Sequence, residues 1–248
     1  MEISRLTAII TGSTGLLGSE IALALANAGC DCICHYNKNK EKAQQLVEKI
    51  QKLSVKAIPV QADLTDPDAV KTLFDTASTI GVPRILINSA ALFSKEPLQN
   101  VTLEKARSVL DLDLIAPILL SKEFAKIIDD NFAGSEDTVA KIINISDVGG
   151  IKPWANYVVY CSAKAGLIGA TKALAKELAP RILVNSIAPG IVVDFQPNLN
   201  DDQKKRQLDF IPMARIGKTK ELTNALIFLL QNDYITGQVL NVDGGRCI

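Results

Sequence analysis

The sequence predicts an α/β fold in which a doubly wound, mainly parallel seven-stranded sheet carries helices on both faces. Three observations carry this prediction. Short runs rich in Val and Ile alternate with helix-period segments from end to end. The runs are continuously apolar, the pattern of parallel strands buried on both sides. No linker, repeat or low-complexity tract interrupts the 248 residues, a length that one α/β domain can fill, so residues 1–248 are read as a single domain.

Leu6–Ile10 is the first strand, followed by a glycine-rich turn and a helical pattern near 16–28. Cys30–Cys34 is the second strand, with a helix near 40–52; Val55–Val60 is the third. Asp66, with Pro67 at the first helical position, starts a helix over 67–79. Ile85–Ile87 is the fourth strand and leads to helical patterns at 102–110 and 115–129. Val139–Ile145, a helix at 155–179, Ile182–Ile187, a helix at 220–231 and Gln238–Val242 complete the series. The polar stretch Asp194–Arg215, with Pro197, Asn198, Asn200 and Asp201, suits either a mobile lid or a plain disordered loop.

With 27 basic and 27 acidic residues, the chain lacks the electrostatic footprint of a nucleic-acid or anionic-membrane binder. Met1-Glu2-Ile3-Ser4-Arg5 does not resemble a signal peptide, and no apolar stretch reaches the roughly 18–20 residues of a membrane helix. A soluble, cytoplasmic protein is expected. Cys30, Cys32 and Cys34 alternate on one strand and share a face, while His35, the only histidine, points the other way. Without C-x-x-C pairs or neighbouring histidines they read as buried thiols, and no metal site is expected.

The chemistry centres on Tyr160, Lys164 and Asp147. A tyrosine and a lysine four apart share a helix face, and an ammonium beside a phenol lowers its pKa from about 10. Such a phenol can exchange a proton with a carbonyl or imine undergoing hydride transfer. At the other end of the chain, Gly12, Ser13, Thr14, Gly15, Leu16, Leu17 and Gly18 join the first strand to the first helix. Glycines there allow a tight turn and close approach to a pyrophosphate at the helix N-terminus. After the second strand, His35-Tyr36-Asn37-Lys38 holds no acid for a ribose 2′-hydroxyl; Lys38, with Asn39 and His35, suits a 2′-phosphate. NADP(H) is therefore favoured over NAD(H).

These residues resemble the short-chain dehydrogenase/reductase family, whose fold is a Rossmann-type domain, over nearly the whole chain. The resemblance implies that Asp63, beside Leu64, bonds the adenine amino group, and that Asn88, Ser89 and Ala90 support the sheet behind the cofactor. It places Pro189, Gly190 and Val192 against the nicotinamide, and Asn241-Val242-Asp243-Gly244-Gly245 matches the family's C-terminal signature. It also implies a homotetramer built through the helices at 115–129 and 155–179 and the last strand. Asp147 stands where the family has its catalytic serine, and Ser146, one residue off, is expected to face away. That exchange is similar to the pteridine reductase branch, as are His35-Tyr36, Phe93, whose counterpart stacks on a pterin, and Tyr157. Leu16 departs from the branch, which carries arginine there.

Asp113 replaces a family asparagine whose main-chain carbonyl holds a water leading to the lysine; its carboxylate either joins Lys164 or caps and salt-bridges locally. An ionised Asp147 cannot donate a hydrogen bond and opposes a developing alkoxide. It makes sense if protonated in a dry site, or if it faces N–H groups of a pterin-like ring. The expected function is NADPH-dependent reduction of a pteridine-like or other C=N/C=O small-molecule substrate, with Tyr160 as proton donor. The alternatives are a 3-oxoacyl-[acyl-carrier-protein] reductase-like enzyme and a non-catalytic NADP-binding regulator.

Overall fold

The computed structural model describes residues 1–192, 205 and 208–248. Most of the Asp194–Arg215 stretch read as a lid therefore lies outside the described residues. Seven strands, β1 (Thr7–Ile10), β2 (Asp31–Tyr36), β3 (Ala57–Gln61), β4 (Pro83–Asn88), β5 (Ala140–Ile145), β6 (Ile182–Pro189) and β7 (Val239–Val242), form one sheet. Its order is β3-β2-β1-β4-β5-β6-β7, with parallel pairing throughout. β1 pairs with β2 on one side and β4 on the other, so the winding reverses there and opens a crevice beyond the strand ends.

Helices α1 (Leu16–Asn27), α2 (Lys40–Gln51) and α7 (Thr219–Gln231) cover one face; α3 (Pro67–Ala77), α5 (Ala116–Asn131) and α6 (Val158–Leu178) cover the other. The period-2 geometry of a strand divides the side chains between two cores. Ile10, Cys32, Cys34, Ile85, Ile87 and Ile143 pack with the first group, and Ile9, Ile33, Leu86, Ile142 and Val184 with the second. The three cysteines are buried together as expected, and burial pushes Cys30 and Cys34 up to about 12.

Two boundaries differ from the sequence expectation in ways that shape the site. The helix predicted from 155 begins at Val158, because Asn156 takes a left-handed φ of 67° and keeps Trp154–Tyr157 in a loop. The patterns at 102–110 and 115–129 are joined: α4 (Leu103–Leu110) runs through a π-helical turn, Asp111–Ile115, into α5. Pro117 has no N–H for the carbonyl four residues back, that of Asp113, so the regular ladder breaks there. The wider turn carries Asp113 inward to full burial.

Candidate active site

The crevice holds a cavity of about 710 Å³ running from the glycine turn to Tyr160. Gly12 has φ +64°, and a Cβ on it would meet the Ala90 Cα at 2.8 Å. A Cβ on Gly18 would meet the Gly12 carbonyl oxygen at 2.3 Å, so the first helical turn lies directly on the loop. Thr11 Oγ1 accepts from the Ser89 and Ala90 N–H groups at 2.9 and 3.0 Å, clamping β1 to the residues after β4. α1 starts at Gly15 with no side-chain cap and no acid in its first turn, leaving its positive end to the cavity. This uncapped end, with glycines packed too closely for side chains, fits a pyrophosphate.

His35 corrects one expectation. Its Nδ1 accepts from the Gly12 N–H at 3.0 Å and its Nε2 pairs with the Ala62 carbonyl at 3.1 Å. Both ring nitrogens are used inside the protein, and burial lowers its pKa, so it is a neutral strut and not a phosphate-binding cation. Asn37, Lys38 and Asn39 line the cavity beside it.

At the other end, Tyr160 Oη donates to Asp147 Oδ2 at 2.9 Å, while the Gly149 N–H donates to Asp147 Oδ1 at 2.6 Å. Burial pushes the Asp147 carboxyl above the usual aspartate range, against the pull of these two donors, Lys164 and Arg246. Lys164, buried, donates to the Ile145 carbonyl at 3.2 Å and pairs with Asp113 Oδ2 at 3.4 Å. Asp113 Oδ1 accepts from the Leu92 N–H at 2.7 Å, so this carboxylate both reaches the lysine and fixes the backbone leading to Phe93. Lys164 is expected to lower the Tyr160 phenol and Asp147 to oppose it; in the free site the opposition prevails. Burial and Asp147, with Asp113 beyond, push it well above its ordinary value. The lysine's charge is largely answered by Asp113, and its Nζ stands 5.7 Å from the tyrosine ring centre.

Phe93 stacks on Tyr157, with centroids 5.2 Å apart, and turns an edge to Tyr160 at 4.9 Å. Ser146 borders the cavity, against the expectation that it faces away, but its hydroxyl is engaged within the sheet, donating to the Ile187 carbonyl at 3.0 Å and accepting from Ser186 at 2.7 Å. Leu16, Leu17, Leu64, Pro189, Gly190 and Val192 also line the cavity, as do Thr14 and Gly15. Ser13, Tyr36, Asn88 and Asp113 are buried outside its lining, and Asp63 is exposed. Asp63 accepts from the Thr65 N–H and hydroxyl. Asn88 donates to Asn144, which donates to Thr171, so a buried amide chain ties β4 and β5 to α6. Among the lining residues that were missed are Trp154, the only tryptophan, and Arg246, whose guanidinium lies 5.5 Å from the Trp154 ring centre. The Pro153-Trp154 pair before the tyrosine helix, and a basic residue directly after Gly244-Gly245, were the available signals.

A glycine turn at a sheet reversal, facing a buried Tyr-x-x-x-Lys pair, defines a nucleotide-dependent oxidoreductase site. A family model described as Enoyl-(Acyl carrier protein) reductase matches residues 14–246, and the chain belongs to the short-chain dehydrogenase/reductase family. It is 37% identical over 247 residues to a 3-oxoacyl-[acyl-carrier-protein] reductase of Synechocystis sp., covering 96% of this chain and 95% of that one. It is 34% identical over 244 residues to the enzyme of the same name from Staphylococcus aureus, covering 96% and 97%. Two solved structures are similar at 26% identity. One is a blue fluorescent protein from a metagenomic library in complex with NADPH, with a TM-score of 0.89 and 100% of both chains covered. The other is a 7α-hydroxysteroid dehydrogenase complexed with NADH and 7-oxo glycochenodeoxycholic acid, with a TM-score of 0.90 and 98% and 95% covered.

Proposed function

We propose that the protein is an NADP(H)-dependent reductase that adds hydride and a proton across a C=O or C=N bond. The observation that carries this is the buried Tyr160, paired with Asp147 and backed by Lys164 and Asp113, in the same cavity as the glycine turn. NADPH, when bound, supplies the hydride. The turn and the α1 terminus hold its pyrophosphate, and Lys38 with Asn37 and Asn39 favours a 2′-phosphate. One solved neighbour holds NADPH and the other NADH, so the preference rests on these residues. Tyr160, kept neutral chiefly by burial, is suited to give its proton to the substrate.

For the substrate, the relatives favour a 3-oxoacyl thioester over the pteridine expected from motif detail, and we take that as the first reading. It requires Asp147 to be protonated and to donate to the ketone oxygen, as a serine would; its raised pKa supports this. A specific observation favours a second reading, a pterin-like or other nitrogen-rich ring. Both Asp147 oxygens accept hydrogen bonds, the arrangement of an ionised carboxylate that would receive ring N–H groups. Exposed Ile115 and Ile118 near the start of α5, with Val158 on α6, support a homotetramer, and we extend the proposal to a cytoplasmic enzyme. NADPH oxidation is measured with an acetoacetyl thioester and with a dihydropterin at equal concentration. Faster turnover of the thioester is expected, and the reverse order selects the ring reading. Tight NADPH binding without oxidation of either, or of a broad ketone and imine panel, refutes a reductase and leaves a cofactor-binding regulator.

A further inference from the structure

The C-terminal turn presents a cation to the cavity that the reaction chemistry does not use. Asp243 Oδ1 and Oδ2 accept from the N–H groups of Gly245 and Cys247, both at 2.9 Å, and the Arg246 N–H donates to the Asp243 carbonyl at 3.3 Å. The acid nearest in sequence is therefore spent on shaping the turn. Lys152 Nζ donates to the Arg246 carbonyl at 3.3 Å and ties the turn to the loop before α6. The Arg246 guanidinium lies over the Trp154 ring, a face that orients a planar cation without consuming its hydrogen-bond donors. No carboxylate stands within ion-pair distance of it among the described residues. It lines the same cavity as Tyr160 and Asp147. Asp147, the acid that lines the same cavity, is engaged by the Tyr160 hydroxyl and the Gly149 N–H.

We propose that Arg246, laid on Trp154 at the cavity wall, receives an anionic substituent of the substrate, a carboxylate or a phosphate. This rests on the reductase reading for its location: the anion and the reducible bond belong to one molecule, the bond at Tyr160 and the anion at Arg246. A guanidinium whose N–H groups meet no acceptor among the described residues presents a fork that matches either anion in two-point geometry. A substrate neutral at that end leaves the cation without a partner.

Trp154 is the only tryptophan, so its fluorescence reports on this place alone. The full-length chain is titrated with benzoate, phenyl phosphate and the neutral benzamide, with and without saturating NADP⁺, which blocks the cofactor's own phosphate sites. Either anion is expected to bind about tenfold or more tightly than benzamide, as charge-assisted pairing with arginine implies. The better of the two identifies which anion the substrate carries. Arg246→Gln should abolish the preference, Arg246→Lys should keep part of it, and Lys152→Gln should leave it intact. Equal binding of all three probes in the wild type overturns the proposal, and so does a preference that survives Arg246→Gln. Calorimetric titration repeats the comparison without the optical reporter, and near-ultraviolet circular dichroism verifies folding of each variant. Anion preference without any NADPH turnover supports the anion site and refutes the reductase reading alone.

Discussion

Replacing Asp147 with serine tests the electrostatics of the site directly. In the wild-type chain the Tyr160 hydroxyl donates to Asp147 at 2.9 Å, in a pocket where burial already disfavours the phenolate. A hydrogen bond to a charged group is worth about 1.5–3 kcal/mol, and about 1.4 kcal/mol corresponds to one pKa unit. Removing the carboxylate should therefore lower the Tyr160 pKa by about one to two units. The sign follows from its role: as an acid, Tyr160 works while protonated, so activity falls as pH rises through its pKa. The basic limb of kcat/KM should move to lower pH by that amount in Asp147→Ser. The serine also restores a neutral donor, and one such donor is worth about 10²–10³-fold toward a developing oxyanion, so a tenfold gain with an acetoacetyl thioester is a conservative expectation. A dihydropterin should lose rate, since its N–H groups lose their acceptor. The assay is steady-state NADPH oxidation from about pH 6 to about pH 11, where the wild-type chain should show little or no basic limb and the variants should bring one toward the window, with Asp147→Asn as the variant of matched size. A basic limb that does not move in either variant refutes the coupling of Asp147 to Tyr160.

Two further perturbations probe the remaining walls. Gly12→Ala puts a Cβ 2.8 Å from the Ala90 Cα at a φ of +64°; the left-handed strain alone costs about 1–2 kcal/mol, so NADPH affinity by fluorescence titration should fall about tenfold or more, with a lower melting temperature. Asp113→Asn keeps the oxygen that accepts from Leu92 but removes the charge facing Lys164; the basic limb should shift to lower pH by less than in Asp147→Ser, and thermal melts report whether the uncompensated lysine destabilises the fold.

The architecture was legible because its signals are repetitive: each apolar run and each helical face repeats the same period, so an error of one or two residues at an end leaves the order of elements intact. The site was legible where a motif is local in sequence. Tyr160 and Lys164 sit four apart on one helix, and Gly12, Gly15 and Gly18 lie within one turn, so spacing alone brings them together. What spacing does not encode is the side chain's environment. His35 reads as a cation beside Lys38 until the third strand supplies the Ala62 carbonyl that consumes its second nitrogen. Lys164 reads as the tuner of Tyr160, with Asp113 either joining it or capping locally, until the π-helical turn brings Asp113 to the lysine. Even that had a written cause, Pro117 four residues after Asp113, but its consequence depends on which helix lies opposite. Trp154 and Arg246 meet across 92 residues of sequence, and only the fold makes them neighbours.

The charges around Tyr160 bear on which protonation state the free site favours. Two carboxylates, Asp147 and Asp113, face one buried lysine, and the remaining cation, Arg246, stands at the wall over Trp154. A dehydrogenase acting on an alcohol needs a phenolate ready to take a proton, which an unopposed lysine would promote. Here burial, Asp147 and then Asp113 all act against the phenolate. In the free site the neutral phenol is thus favoured over the phenolate. The two aspartates that depart from the family pattern reinforce each other in this respect, which is why each is expected to move the basic limb the same way when neutralised.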